Sequence, residues 1–181
     1  MLEQDNPQGV SQSSARELFG LSSEQLEPHL RRLADTLKTR RWMLTTAESC
    51  TGGMIAAACT DLAGSSDWFE RGFVSYGNAA KTDMLGVPGM LILLHGAVSE
   101  PVVRAMATGA VLRSQAQVSI AVTGVAGPGG GTEAKPVGTV WFGWQVDGAL
   151  HSEVVHFVGD RATVRTETLR HAIVRLNELM A

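Results

Sequence analysis

The chain has 181 residues, 44% of them hydrophobic and 18% charged, with a net charge of -3. That length suits one domain with a substantial core, and so small a charge gives no electrostatic attraction for nucleic acid or an anionic membrane. The partner expected is a small molecule. Cys50 and Cys59 are too few for a disulfide framework, no charged-then-apolar leader opens the chain, and its apolar runs fall short of a membrane span. A cytoplasmic protein is expected.

Residues 1–25 are polar, with little periodicity beyond Ala15, Leu18, Phe19 and Leu21, and read as a tail that holds at most a short helix. Residues 26–181 read as a single domain. Leu30, Leu33, Ala34 and Leu37 predict a helix over 28–40, with Pro28 in its first turn. A short strand starts at Trp42, and a helix follows over Gly52 to Leu62 whose Ala56, Ala57 and Ala58 allow close packing. Phe73 to Tyr76 predicts a second strand, and Asn78 the cap of a helix that ends at Gly86. Ser99 caps an amphipathic helix with Val103, Met106, Ala107, Ala110 and Val111 on one face and Pro101 in its first turn.

Val118 to Val122 predicts a third strand, which runs into the glycine-rich segment Gly124 to Gly131. Val140, Phe142, Trp144 and Val146 alternate along a fourth, Asp147-Gly148 turns the chain, and a return strand reaches Phe157. Asp160 caps a last helix with Leu169, Ala172, Ile173, Leu176 and Met180 inward. Alternating helices and strands plus one hairpin imply an α/β fold, a three-layer α/β/α arrangement around a mixed central sheet.

The segment Thr45-Thr46-Ala47-Glu48-Ser49-Cys50-Thr51-Gly52-Gly53 carries the strongest chemical signal. It joins a strand to a helix, where hydroxyls and amide N–H groups meet the positive end of the helix dipole and where a serine is able to act as a nucleophile. No Gly-x-Ser-x-Gly elbow surrounds Ser49, and no histidine stands in a triad context, which argues against a triad hydrolase. Lys81, downstream of Tyr76, is the alternative base, because desolvation lowers a lysine pKa towards neutrality. A helix cap, a packed ring and a solvated amine are the plain structural roles for Ser49, Tyr76 and Lys81. Cys50 is the rival nucleophile, read as core. The glycine-rich loop ends a buried strand where open sheets bind ligands, but matches neither dinucleotide nor Walker spacing, and a bland flexible loop would look the same. Arg161 and Arg165 near a helix N-terminus suggest a bound anion, with pairing to Asp160 or Glu167 as the competing explanation. His29, His95, His151, His156 and His171 show no ligand spacing, so no metal is expected.

Ala47 to Gly53, Tyr76 to Lys81, Gly96-Ala97-Val98-Ser99, Thr123 to Gly131, Lys135 to Thr139 and Gly159-Asp160-Arg161, in that order, resemble the CinA C-terminal domain family. The likeness covers about 26–181. It implies a metal-free, cofactor-free hydrolysis of the carboxamide of nicotinamide mononucleotide, giving nicotinic acid mononucleotide and ammonia in pyridine-nucleotide salvage. Carried over by position, Ser49 is the nucleophile, Lys81 its base and Tyr76 an assisting hydroxyl. The resemblance further implies that Thr46, Thr51, Gly52, Gly53, Thr123, Gly124, Ala126, Gly127 and Arg161 bind substrate, with amides of Thr51 to Gly53 holding the oxyanion. Gly77 departs from the serine usual after the tyrosine, and Met90 to Leu94 is more apolar than the family helix at that place, which suggests a subunit contact. A homodimer or higher homo-oligomer is expected. The alternative is a nucleotide-binding or competence/damage-associated interaction module without turnover.

Overall fold

The computed structural model describes residues 23–181, with side chains from Leu26 onward. Most of the predicted polar tail lies outside the described residues. Helix α1 spans Ser23–Arg40, starting ahead of the predicted boundary and carrying Pro28 inside it. Leu26, Leu30, Leu33 and Leu37 are all buried along it. Burying each contributes roughly 1.5–3 kcal/mol, which outweighs the roughly 3 kcal/mol cost of an internal proline.

Strand β1, Leu44–Glu48, is buried throughout. Helix α2 is Met54–Thr60, shorter than predicted because Gly52 and Gly53 have φ of 62° and 99°, outside the right-handed helical region. A 3-10 turn at Ser65–Asp67 leads to β2, Phe69–Val74. This strand starts earlier than predicted and stops short of Tyr76, because the Ser75 and Tyr76 carbonyls meet the Lys81 side chain instead of continuing the ladder. Helices α3 (Asn78–Leu85), α4 (Gly89–His95) and α5 (Glu100–Leu112) follow. The N-cap of α3 is Gly77 rather than the predicted Asn78, while Gly86, at φ 68°, closes the helix as expected. Strands β3 (Val118–Gly124), β4 (Thr139–Val146) and β5 (Ala149–His156) precede α6, Arg161–Leu179. Asp160 caps α6 by accepting from the Thr163 amide, which also holds its carboxyl below the ordinary range.

The strands form one sheet in the order β2-β1-β3-β4-β5, the first three parallel and the last two antiparallel to their neighbours. The chain leaves β1 through α2 towards one edge and later reaches the opposite side of β1 through α3, α4 and α5. Right-handed crossovers in opposite directions place these helices on opposite faces. One face packs α1, α2 and α6 on Leu44, Ile120, Phe142 and Trp144. The other packs α5 on Ala47 and Ala121. This is the expected three-layer α/β/α arrangement. In register, Glu48 lies opposite both Val74 and Val122, so β1 and β2 end level with each other while β3 runs two residues further. Ser49, Ser75 and Thr123 therefore emerge together at the point where the connections diverge, the usual ligand crevice of such sheets.

The position of α3 depends on Gly109 of α5, where a Cβ would lie 2.0 Å from the Leu85 carbonyl oxygen. Replacing a helical glycine by alanine otherwise gains about 0.5–1 kcal/mol, but overpacking costs about 1–3 kcal/mol. The clash wins. Gly109→Ala is expected to lower the thermal unfolding midpoint measured by calorimetry, and an unchanged or higher midpoint would refute this close approach.

Candidate active site

Ser49 follows β1 directly and is held there by its amide, which donates to the Val122 carbonyl of β3 at 3.1 Å. Lys81, in the first turns of α3, reaches back across the end of β2. Its Nζ lies 3.0 Å from Ser49 Oγ, 2.9 Å from the Ser75 carbonyl and 3.2 Å from the Tyr76 carbonyl. The side chain is 1% exposed. Among the described residues no carboxylate forms an ion pair with it. Burial pushes its pKa below the ordinary lysine value of 10.5. Two carbonyls accept two amine hydrogens. In the uncharged amine the remaining position is a lone pair, which faces the serine hydroxyl.

The turn between Ser49 and α2 is organised by Glu48, a residue the sequence reading did not single out. Its fully buried carboxylate accepts from the amides of Gly53, Ile55 and Ala56 at 3.0, 3.0 and 2.8 Å. It also accepts from the hydroxyls of Thr51 at 2.7 Å and Thr46 at 3.3 Å. An internal carboxylate thus occupies the helix N-terminus, where an external anion was expected. Four residues implied as substrate contacts have partners within the protein. Thr46 and Thr51, both 0% exposed, turn their hydroxyls to Glu48 rather than to a ligand. The Gly53 amide is taken by the same carboxylate, and the Gly52 amide donates to the Ser49 carbonyl at 3.1 Å. A strand-borne acid followed by two glycines and a helix was the available signal, since a buried carboxylate needs donors and a helix start has them free.

Tyr76 is placed differently from the assisting role implied for its hydroxyl. The ring is 57% exposed, and its hydroxyl accepts from Arg161 Nη2 at 3.0 Å; only its backbone carbonyl touches Lys81. Arg161 also donates to the Gly127 carbonyl at 3.0 Å, so it bridges the glycine loop and the tyrosine. Arg165 donates to the carbonyls of Cys50 and Thr51, on the turn that follows Ser49. Neither arginine pairs with Asp160 or Glu167: the first caps α6 and the second pairs with Arg170.

Thr123 is 1% exposed and donates its hydroxyl to the Ala97 carbonyl at 2.9 Å, while Ala126 is buried. Of the glycine loop, Gly124 is half-buried and Gly127 buried, and Lys135 ties its far end to the His95 carbonyl at 2.9 Å. Cys50 is buried and its thiol is pushed up to about 12 by that burial, which removes it as a nucleophile near neutral pH. The Ser75 hydroxyl is the only buried side-chain polar atom without a partner among the described residues.

A family model for the CinA C-terminal domain matches residues 26–180. A nicotinamide-nucleotide amidohydrolase PncC of Escherichia coli K12 is 49% identical over 147 residues, covering 80% of this chain and 88% of that protein. One from Pseudomonas putida is 51% identical over 148 residues, covering 82% and 92%. Among solved structures, the competence/damage inducible protein CihA from Agrobacterium tumefaciens matches with a TM-score of 0.84 at 42% identity, covering 87% of this chain and 96% of that one.

Replacing Glu48 by glutamine keeps the shape but turns an NH2 towards donors. Whichever oxygen is replaced, at least one helix amide loses its acceptor, at a cost of about 1–3 kcal/mol. Glu48→Gln is expected to lose that much unfolding free energy in a urea titration, with its midpoint at lower urea, and an unchanged midpoint would contradict the capping role.

Proposed function

The chain belongs to the CinA C-terminal domain family, and from that premise we propose that it hydrolyses the carboxamide of nicotinamide mononucleotide to nicotinic acid mononucleotide and ammonia. The observation that carries the reading is the 3.0 Å contact between buried Lys81 Nζ and Ser49 Oγ, with no carboxylate paired to the amine among the described residues. The uncharged amine takes the serine proton as Oγ attacks the amide carbon. The resulting ammonium returns that proton to the departing nitrogen, the C–N bond breaks to release ammonia, and the acyl group stays on Ser49 Oγ. Water then attacks the ester with Lys81 again as base, releasing the carboxylic acid and restoring Ser49.

Arg161, between Tyr76 and Gly127, is the cation of choice for the nucleotide phosphate, with the loop from Thr123 through Gly124 and Ala126 to Gly127 lining the same mouth. Tyr76 then acts by holding Arg161 rather than by moving the proton. Thr46 and Thr51 support Glu48. The reading extends to a cytoplasmic enzyme, in keeping with two buried free thiols. No helix among the described residues is long and apolar enough to cross a membrane. Exposed Met90, Leu93 and Leu94 on α4 favour a homodimer or higher homo-oligomer.

Purified protein incubated with nicotinamide mononucleotide should release ammonia, with Ser49→Ala and Lys81→Met each losing roughly a hundredfold or more in kcat. Because the reactive form is the deprotonated amine and burial lowers its pKa, the rate should rise with pH through a midpoint below 10.5. Full activity in Ser49→Ala would overturn the reading. Tight nucleotide binding without product would instead support the non-catalytic binding module.

A further inference from the structure

We propose that the exposed ring of Tyr76 is the platform that recognises the positively charged pyridinium of the substrate, which makes Tyr76 a specificity-determining residue. The inference rests on the amidohydrolase reading and deepens it, because it names what selects a charged ring over a neutral one. Tyr76 touches both ends of the site. Its backbone carbonyl accepts from Lys81 Nζ at 3.2 Å, and its hydroxyl accepts from Arg161 Nη2 at 3.0 Å. In the proposed reaction the carboxamide lies at Ser49 and Lys81 and the phosphate at Arg161. The pyridinium and the ribose join those two groups in nicotinamide mononucleotide, so the Tyr76 side chain runs alongside the stretch that the pyridinium has to occupy.

Tyr76 is 57% exposed, and it is the only exposed phenylalanine, tyrosine or tryptophan among the described residues. A lone exposed ring is ordinary, but this one is held at both ends. Among the described residues no other ring stacks on it and no cation lies over its face. With the hydroxyl taken by Arg161, what it offers a ligand is the π face, whose negative quadrupole attracts a cation and whose flat surface packs against a second ring. A pyridinium is both cation and ring. The carboxylates of the neighbouring segments are already engaged: Glu48 is fully buried on amides and hydroxyls, and Asp160 caps α6. Lys81 in its uncharged form adds no repulsion.

The test reads binding rather than turnover, because the pyridinium charge also activates the amide carbon towards attack. In a Ser49→Ala background, which blocks acylation, calorimetry compares nicotinamide mononucleotide with benzamide riboside 5′-monophosphate, whose ring is neutral. The charged ligand is expected to bind about three- to thirtyfold more tightly. Tyr76→Leu should erase that preference. Tyr76→Phe, which keeps the ring but not the Arg161 contact, should retain it while weakening both ligands alike. Persistence of the preference in Tyr76→Leu, its loss in Tyr76→Phe, its absence with Tyr76 in place, or binding of neither ligand would overturn the proposal. Ammonia release by the chain that carries Ser49 is measured alongside. If the ligands bind with the expected preference and no ammonia appears, the amidohydrolase reading fails while the role of Tyr76 stands.

Discussion

A lysine amine held by two strand-end carbonyls and one serine hydroxyl is the contact on which the rest of the molecule converges. Burying an amine without a carboxylate is costly for its charged form. The fold holds the group with carbonyls and a hydroxyl alone, and burial draws its pKa below the ordinary value. The Ser75 and Tyr76 carbonyls are available because β2 stops where it does, and Ser49 is within reach because β1 and β2 end level. The sheet register, more than any loop, sets the distance between the Ser49 and Lys81 side chains.

Two opposite charges brace the serine from either side. Glu48 gathers amides and hydroxyls of the turn and of the helix behind it, and Arg165 gathers carbonyls of the same turn. The positive φ of Gly52 and Gly53 is what lets so short a segment present donors one way and acceptors the other. Glu48 also satisfies the free amides at the start of α2 internally.

Much of this was legible in the residues. The apolar face of α6, the alternation along β4, the Asp147-Gly148 turn and the Gly86 stop follow local rules that tertiary packing reinforced. Ser49 and Lys81 were readable because a hydroxyl at a strand-to-helix junction and a lysine downstream of the next strand each suggest chemistry. What sequence pattern did not reveal depended on long-range partners. Pro28 sits inside α1 because Leu26 extends the buried stripe, a gain no local rule counts. Glu48 looked like one polar residue in a buried strand, since its donors lie on a helix not yet placed. The Tyr76 hydroxyl found Arg161, far along the chain, rather than the lysine near it in sequence.

The protonation state of Lys81 is the quantity that decides the account. Nuclear magnetic resonance of lysine-labelled protein, with the Lys81 signal assigned through a Lys81→Met variant, follows that amine directly through a pH titration. A midpoint clearly below the ordinary value of 10.5 is predicted from its burial. Titration at or above 10.5 would mean that the amine stays charged beside Ser49 and is unable to accept its proton.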